Sequence, residues 1–318
     1  MDEQSPDACP VAFIGAGAMA REHARAFGAV AGVELAGIHS RTFEKARSLG
    51  EEFGIRCVCH SIDELYERTE ASLVVIAVPE MAANAVAKTC FRHPWSILAE
   101  KPLGYDLADA QDIAAAAEAY GSRVLVGLNR RFLSSTQAAL ADLNEQEGPR
   151  FIQVHDQQSL EVARQIGHPE PVVENWMFAN SIHLIDYVRA LGRGAIESVK
   201  PIIPWNGGST DVVVAVVDFD SGDRALYQGV WGRPGPWMVT ATVAARRWEL
   251  RPLEKAAFQN AGERTLQPVE THAWDTEFKP GFRLQAQMAV ASACGRPSEA
   301  VTLAESMETM KLVSAIYA

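Results

Sequence analysis

The apolar run Val11-Ala12-Phe13-Ile14 meets a glycine turn, Gly15-Ala16-Gly17-Ala18-Met19-Ala20, and the turn opens into a helix-forming stretch through Phe27. A strand, a tight turn and a helix in that order form the context a dinucleotide fingerprint requires. Gly15 permits the tight turn. Gly17 has no Cβ to hold a pyrophosphate away from the backbone. Ala20, small at the third position, lets helix and strand pack closely. The helix start at Ala18 and Met19 offers unpaired N–H groups and the positive end of a helix dipole to phosphate oxygens. A tight βα turn without a ligand has the same glycine pattern, so the rest of the chain must decide between the two.

Downstream of Phe27 the chain alternates. Apolar strand candidates at Val33–Ile38, Arg56–Cys59, Leu73–Val78, Ser96–Ala99 and Val124–Gly127 are separated by helical stretches. Ser61-Ile62-Asp63-Glu64 has capping-box spacing, and Asp106 precedes the alanine-rich helix Leu107–Tyr120. Such alternation predicts a doubly wound parallel sheet, a Rossmann α/β domain, with ligands at the carboxyl ends of the strands. Val78 and Pro79 stand at one such end and join the cofactor-binding set. Past Gly127 the pattern changes. A helix is expected over Arg130–Asn144, followed by strands at Phe151–His155, Ser198–Ile203, Asp211–Phe219, Ala225–Val230 and Met238–Ala244. Asp220-Ser221-Gly222-Asp223 supplies hairpin turn chemistry. Strands in succession predict a mostly antiparallel open sheet and an α+β second domain. The expected organisation is therefore residues 1–128 as the dinucleotide-binding domain and 129–318 as the substrate and oligomerisation domain.

Composition narrows the partners. A net charge of −11 disfavours nucleic acid and anionic membranes, which attract basic surfaces. No run reaches the roughly 18 apolar residues a membrane helix needs, and Met1–Cys9 lacks a signal peptide's basic start and apolar core, so a cytoplasmic protein is expected. The five cysteines, Cys9, Cys57, Cys59, Cys90 and Cys294, are odd in number and do not form a disulfide framework. Cys57 and Cys59 are expected to face apart in a strand. No second Cys/His cluster completes a zinc site, and no metal is expected.

The second strand tells the cofactors apart. NAD-selective folds place Asp or Glu about 20 residues past the glycines, to bind the ribose 2′-hydroxyl. Here that place holds His39-Ser40-Arg41-Thr42. No carboxylate repels a 2′-phosphate, while Ser40 donates a hydrogen bond and Arg41 pairs with or stacks on the adenosine end. NADP is expected over NAD. Glu100-Lys101-Pro102 follows the fifth strand, at the ligand-bearing edge. A lysine there can hydrogen-bond a substrate hydroxyl and stabilise alkoxide character. Pro102 rigidifies the turn and is a candidate cis proline.

The glycine turn, Glu100-Lys101-Pro102 and Val126-Gly127-Leu128-Asn129-Arg130-Arg131-Phe132 occur in an order and spacing that resemble the glucose–fructose oxidoreductase/inositol dehydrogenase/rhizopine-catabolism (Gfo/Idh/MocA) family. The resemblance extends over essentially the whole chain. It implies a Rossmann domain, a second domain whose open sheet face makes a homodimer or homotetramer, and a final helix, 303–317, packing back near the first domain. It implies NAD(P)-dependent oxidation or reduction of a sugar, cyclitol or nucleotide-linked sugar at a carbinol or ketone carbon. It also implies an Asp-x-x-x-His on a helix of the second domain. His183 matches the histidine, a proton shuttle with a near-neutral ordinary pKa. The Asp position is occupied by Ala179, and Asn180, Glu174 or Asp186 are the groups that stand in for it. Lys101 and His183 form the expected catalytic set. Glu100, Asn129 and Arg130 join the cofactor side, and Asn180, Asp186 and Trp176 the substrate side. Ala179 also motivates an alternative, a dinucleotide-binding sensor that has lost catalysis.

Overall fold

The computed structural model describes residues 8–207 and 211–318. The polar stretch Met1–Asp7, read from sequence as lacking a leader, lies outside them. The chain runs through β1 (Cys9–Ile14), α1 (Ala18–Gly28), β2 (Val33–His39), α2 (Phe43–Phe53), β3 (Cys57–Cys59), α3 (Ile62–Arg68), β4 (Leu73–Ile76), α4 (Glu80–Cys90), β5 (Ser96–Ala99), α5 (Leu107–Tyr120) and β6 (Arg123–Val126). These six strands form one parallel sheet of order β3-β2-β1-β4-β5-β6, the doubly wound arrangement predicted from alternation. Leu73, Val74, Val75 and Ile76 are all buried because helices cover both faces of the sheet. The caps also appear where the sequence places them. Ser61 accepts from the Glu64 N–H at 3.0 Å, and the Asp106 carboxylate from the Asp109 N–H at 2.7 Å.

The chain continues through α6 (Ser134–Asn144), β7 (Phe151–Gln158), α7 (Leu160–Gln165), α8 (Glu170–Glu174), a π-helical segment (Met177–Ser181), α9 (Ile182–Leu191), β8 (Ile196–Ile203), β9 (Val212–Phe219), β10 (Arg224–Trp231), β11 (Met238–Thr242), β12 (Arg246–Leu250), β13 (Ala256–Asn260) and β14 (Gln267–Val269). It closes with α10 (Trp274–Glu277), α11 (Phe282–Ala293) and α12 (Leu303–Ile316). The second sheet has the order β14-β13-β12-β11-β7-β10-β9-β8 and is antiparallel except where β7 runs parallel to β10. Along β7, β9 and β10 every second residue is buried, so one face of this sheet is covered and the other is partly open. The short strands β12 to β14 carry too few apolar residues to stand out in the sequence.

The chain divides into two units, Met1–Asn129 with Glu277–Met307, and Arg130–Thr276 with Glu308–Ala318. The sequence reading assigns 129–318 to the second domain, with only the final helix, 303–317, packing back near the first. The structure instead packs α11 into the core of the first unit, where Phe282, Ala286, Ala289 and Val290 are buried in the cluster that holds Phe13, Ala24 and Phe27. Small residues on one face of α11 allow that approach, a pattern that does not reveal its partner. The last helix is divided, Leu303–Met307 clustering with the first unit and the remainder with the second. The cysteine expectation is corrected as well. The Cys57 and Cys59 sulfurs lie 3.5 Å apart, because two residues along a strand make one full period and return to the same face. Among the described residues no group of three or more His, Cys, Asp or Glu side chains could hold a metal ion. No helix among them is long and apolar enough to cross a membrane.

Candidate active site

In the first unit, β1 delivers the chain to Gly15 at φ 112°, a conformation that disfavours a side chain, and a Cβ there would lie 2.0 Å from the Ala77 carbonyl oxygen. Gly17 differs. Its backbone is extended, and a Cβ built on it would meet nothing within 4 Å. Packing therefore explains Gly15 but not Gly17. What Gly17 leaves is open space at the start of α1, where no side chain caps the first turn and no acidic residue repels an anion. The first-turn N–H groups fit a pyrophosphate on that open side, so the residues present suit the dinucleotide. Val78 lines the turn, with Cγ1 3.5 Å from where a Gly15 Cβ would stand, and Pro79 caps α4 beside it.

At the end of β2, the His39 Nδ1–H donates to the Cys59 carbonyl at 3.0 Å, since a carbonyl only accepts. Ser40 follows half-exposed and Arg41 exposed, both past the carboxyl end of the strand. At the end of β5 the Lys101–Pro102 peptide is cis. Glu100 is tied down on both oxygens. Oε1 accepts from His23 Nε2 at 2.7 Å and Oε2 from the Lys101 N–H at 3.2 Å. Burial alone would push the Glu100 carboxyl up, but the His23 hydrogen bond and charge, with Lys101 nearby, more than offset it and hold the carboxyl below its usual range. His23 is 1% exposed on α1 and packs its ring 4.6 Å from that of Phe282. Sequence reasoning missed His23. Its signal was a histidine on the apolar face of a helix. Asn129 is buried, and its Nδ2 donates to the Pro280 carbonyl at 3.0 Å, fixing the chain at the end of this unit.

In the second unit, His183 lies on the first turn of α9, directly after the π-helical segment, and is 8% exposed. Its ring is 6.3 Å from the Trp237 ring, and the Arg130 guanidinium lies 6.0 Å from the same indole. Arg130 also pairs with Glu254 at 3.1 Å. Ala179 falls inside the π-helical segment and is buried. Of the groups named as stand-ins, Asp186 is occupied elsewhere. It takes a two-pronged contact from Arg131, both bonds at 2.7 Å, and a third from the Thr309 hydroxyl at 2.9 Å. A carboxylate so engaged is 2% exposed and has both oxygens taken up by Arg131 and Thr309. Trp176 is buried, and its indole N–H donates to Gln158 Oε1 at 2.9 Å. Asn180 remains half-exposed and donates to the same Gln158 oxygen at 2.8 Å. Gln158 and Asp156 occupy inward positions of β7, 2% and 1% exposed. Polar residues at the buried positions of an alternating strand were the signal for them.

Residues 9–128 match the model of the oxidoreductase family with an NAD-binding Rossmann fold, GFO_IDH_MocA. The first domain belongs to the Gfo/Idh/MocA oxidoreductases. Glucose-6-phosphate 3-dehydrogenase of Bacillus subtilis is 30% identical over 124 residues, 39% of this chain and 35% of that one. Inositol 2-dehydrogenase 1 of Mycolicibacterium vanbaalenii is 30% identical over 205 residues, 61% of this chain and 56% of its own. The matched part of the chain thus spans about a third to a half of these relatives. A solved dehydrogenase from Chromobacterium violaceum superposes with a TM-score of 0.82 at 16% identity, over 98% of this chain and 94% of that one. That likeness is one of fold, and it covers both units.

Proposed function

We propose that this chain is an NADP-preferring oxidoreductase acting on a carbinol or ketone carbon of a sugar or cyclitol. The observation that carries the reading is a placement within the first unit. β1 and β5 run parallel with only β4 between them, so the glycine turn and Lys101 leave the same edge of the sheet about 10 Å apart. One extended dinucleotide spans both. Gly15, Gly17, Ala18 and Met19 hold its pyrophosphate, and Val78, Pro79 and Glu100 line its path. Ser40 and Arg41 take the adenosine end and favour a 2′-phosphate. Asn129 and Arg130 complete this set. When bound, the nicotinamide supplies the hydride acceptor or donor.

The protein's own task is orientation and proton handling. The Lys101 ammonium hydrogen-bonds the substrate oxygen and stabilises negative charge developing on it. The Glu100 carboxylate, kept charged by His23, anchors the backbone N–H of Lys101 through its second oxygen. The His183 imidazole takes the hydroxyl proton during oxidation and returns it during reduction. The half-exposed positions of the second sheet, Val212, Val214, Val216 and Val230 among them, favour a homodimer or homotetramer built on that face. Light scattering of the purified chain tests this, and a monomer at micromolar concentration overturns it.

The activity test uses NAD and NADP with myo-inositol, glucose and glucose 6-phosphate, and NADPH with the corresponding keto-sugars. Turnover of at least one panel member, lost by about a hundredfold or more in Lys101→Ala, is expected. Full activity of Lys101→Ala on a good substrate overturns the mechanism. Binding of NADPH with no turnover of any panel member overturns the assignment.

A further inference from the structure

The polar groups around Asn180 form a chain in which each partner dictates the orientation of the next. An indole N–H only donates. Trp176 therefore determines which end of the Gln158 amide faces it, and that end is Oε1, at 2.9 Å. The other end, Nε2, donates to Asp156 Oδ1 at 2.5 Å. Asp156 is held in turn by the Tyr227 hydroxyl, which donates to Oδ2 at 2.7 Å, and Tyr227 meets the Tyr317 hydroxyl at 2.7 Å. Gln158 thus cannot turn over without facing its amide nitrogen toward a donor-only indole. Its Oε1 has a second neighbour, Asn180, and two oxygens cannot bond each other. Asn180 must offer Nδ2, as it does at 2.8 Å. The consequence is that the Asn180 Oδ1 is directed away from this network, and no side chain among the described residues donates to it.

Asn180 is half-exposed, while Gln158, Asp156 and Tyr227 are each 2% exposed or less. It lies in the π-helical segment three residues before His183, next to Ala179, where the family resemblance leads one to expect a carboxylate. We propose that Gln158 is a positioning residue that fixes Asn180 with its amide oxygen outward. Asn180 then accepts a hydrogen bond from a substrate hydroxyl vicinal to the reacting carbon. A neutral acceptor selects a donor. The substrate group at this point is a hydroxyl of a polyol, not a carboxylate or a phosphate. The proposal rests on the reading that His183 serves the reaction.

The experiment takes the polyol of the panel that turns over best and its analogues in which a vicinal hydroxyl is replaced by hydrogen or by fluorine, which cannot donate. Wild type is expected to lose about tenfold in kcat/KM on both analogues of one hydroxyl. Asn180→Ala loses a similar factor on the parent polyol and nothing further on those analogues. Gln158→Met, similar in shape but without the acceptor, behaves like Asn180→Ala. The pH profile of kcat/KM keeps its midpoint in every variant. The proposal is overturned if Asn180→Ala still distinguishes polyol from analogue as wild type does. It is also overturned if the variant moves the pH midpoint, which would place Asn180 on His183 and not on substrate. The side-chain amide signal of Asn180 in a 1H–15N spectrum, identified by its loss in Asn180→Ala, separates this proposal from the functional reading. Slow solvent exchange of that amide and a shift on adding myo-inositol with NADP are expected even if no panel member turns over. Fast exchange with no response overturns the proposal while leaving the activity test untouched.

Discussion

The two glycines of the nucleotide turn make opposite predictions for one substitution. Gly15→Ala forces an alanine to φ 112° and sets its Cβ 2.0 Å from a backbone oxygen, that of Ala77, which cannot swing aside as a side chain can. The backbone conformation alone costs about 1–3 kcal/mol. Relieving the clash requires moving the end of β4, whose four residues are all buried in the sheet. A loss above ~3 kcal/mol is expected. Gly17→Ala enters open space from an extended backbone and gives up only the glycine preference at a helix N-cap, ~1 kcal/mol or less. Stability thus separates the pair by at least ~2 kcal/mol. Cofactor binding reverses the ranking of Gly17→Ala. The methyl group occupies the side from which the pyrophosphate approaches, and a loss of one good charge-assisted contact weakens binding by about tenfold or more. Urea denaturation measures the first quantity and NADPH fluorescence titration the second. If Gly17→Ala binds NADPH as tightly as wild type, the open space before α1 is not the pyrophosphate site. If Gly15→Ala unfolds at the wild-type urea midpoint, the packing argument fails.

Three further outcomes test other parts of the structure. Asp186→Ala takes the two-pronged partner from Arg131, a cation with only 17% of its side chain exposed, and is expected to cost about 3–5 kcal/mol in urea denaturation while leaving kcat/KM of the folded protein within a few fold; a hundredfold loss of kcat/KM at unchanged stability would return Asp186 to the reacting groups. Arg41→Ala is expected to weaken NADPH by roughly tenfold and NADH by less than threefold, and equal effects on the two cofactors would contradict the 2′-phosphate assignment. Asp223 is 1% exposed, and its carboxyl lies below the usual range because the bonds from Arg193 and from the Arg150 and Arg193 N–H groups outweigh its burial. A carboxyl depressed in the folded state stabilises above its unfolded pKa, about 3.9, and loses that contribution as pH falls further. Stability of wild type should therefore fall more steeply below about pH 4 than that of Asp223→Asn, as read from urea midpoints against pH.

The first unit was legible in the sequence because its signals are local. The apolar run Leu73–Ile76 reads as a strand buried on both faces, and Ser61 and Asp106 mark helix starts by residue type alone. Long-range pairing was not legible. Nothing in Phe282–Ala293 states that its small residues meet α1 from the far end of the chain, and the order of β7 to β14 depends on partners distant in sequence. The site divides along the same line. Gly15, Gly17, Lys101 and His183 stand in short motifs. His23, Arg131, Asp156 and Gln158 acquire meaning only from what folding brings beside them.

That division bears on how Ala179 is read. By motif alone, a missing carboxylate suggests lost chemistry. By contact, Asp186 is spoken for by Arg131 and Thr309, while Asn180 is held by a buried amide whose own direction is set by Trp176. A buried network of this kind is costly to assemble, since any unmatched member would leave a desolvated polar group. Gln158, Asp156 and Tyr227 satisfy one another around one half-exposed amide, that of Asn180. That order holds the segment before His183 in one arrangement. What it fixes is the direction of an acceptor, for which a carboxylate, accepting on every side, would be the less selective group.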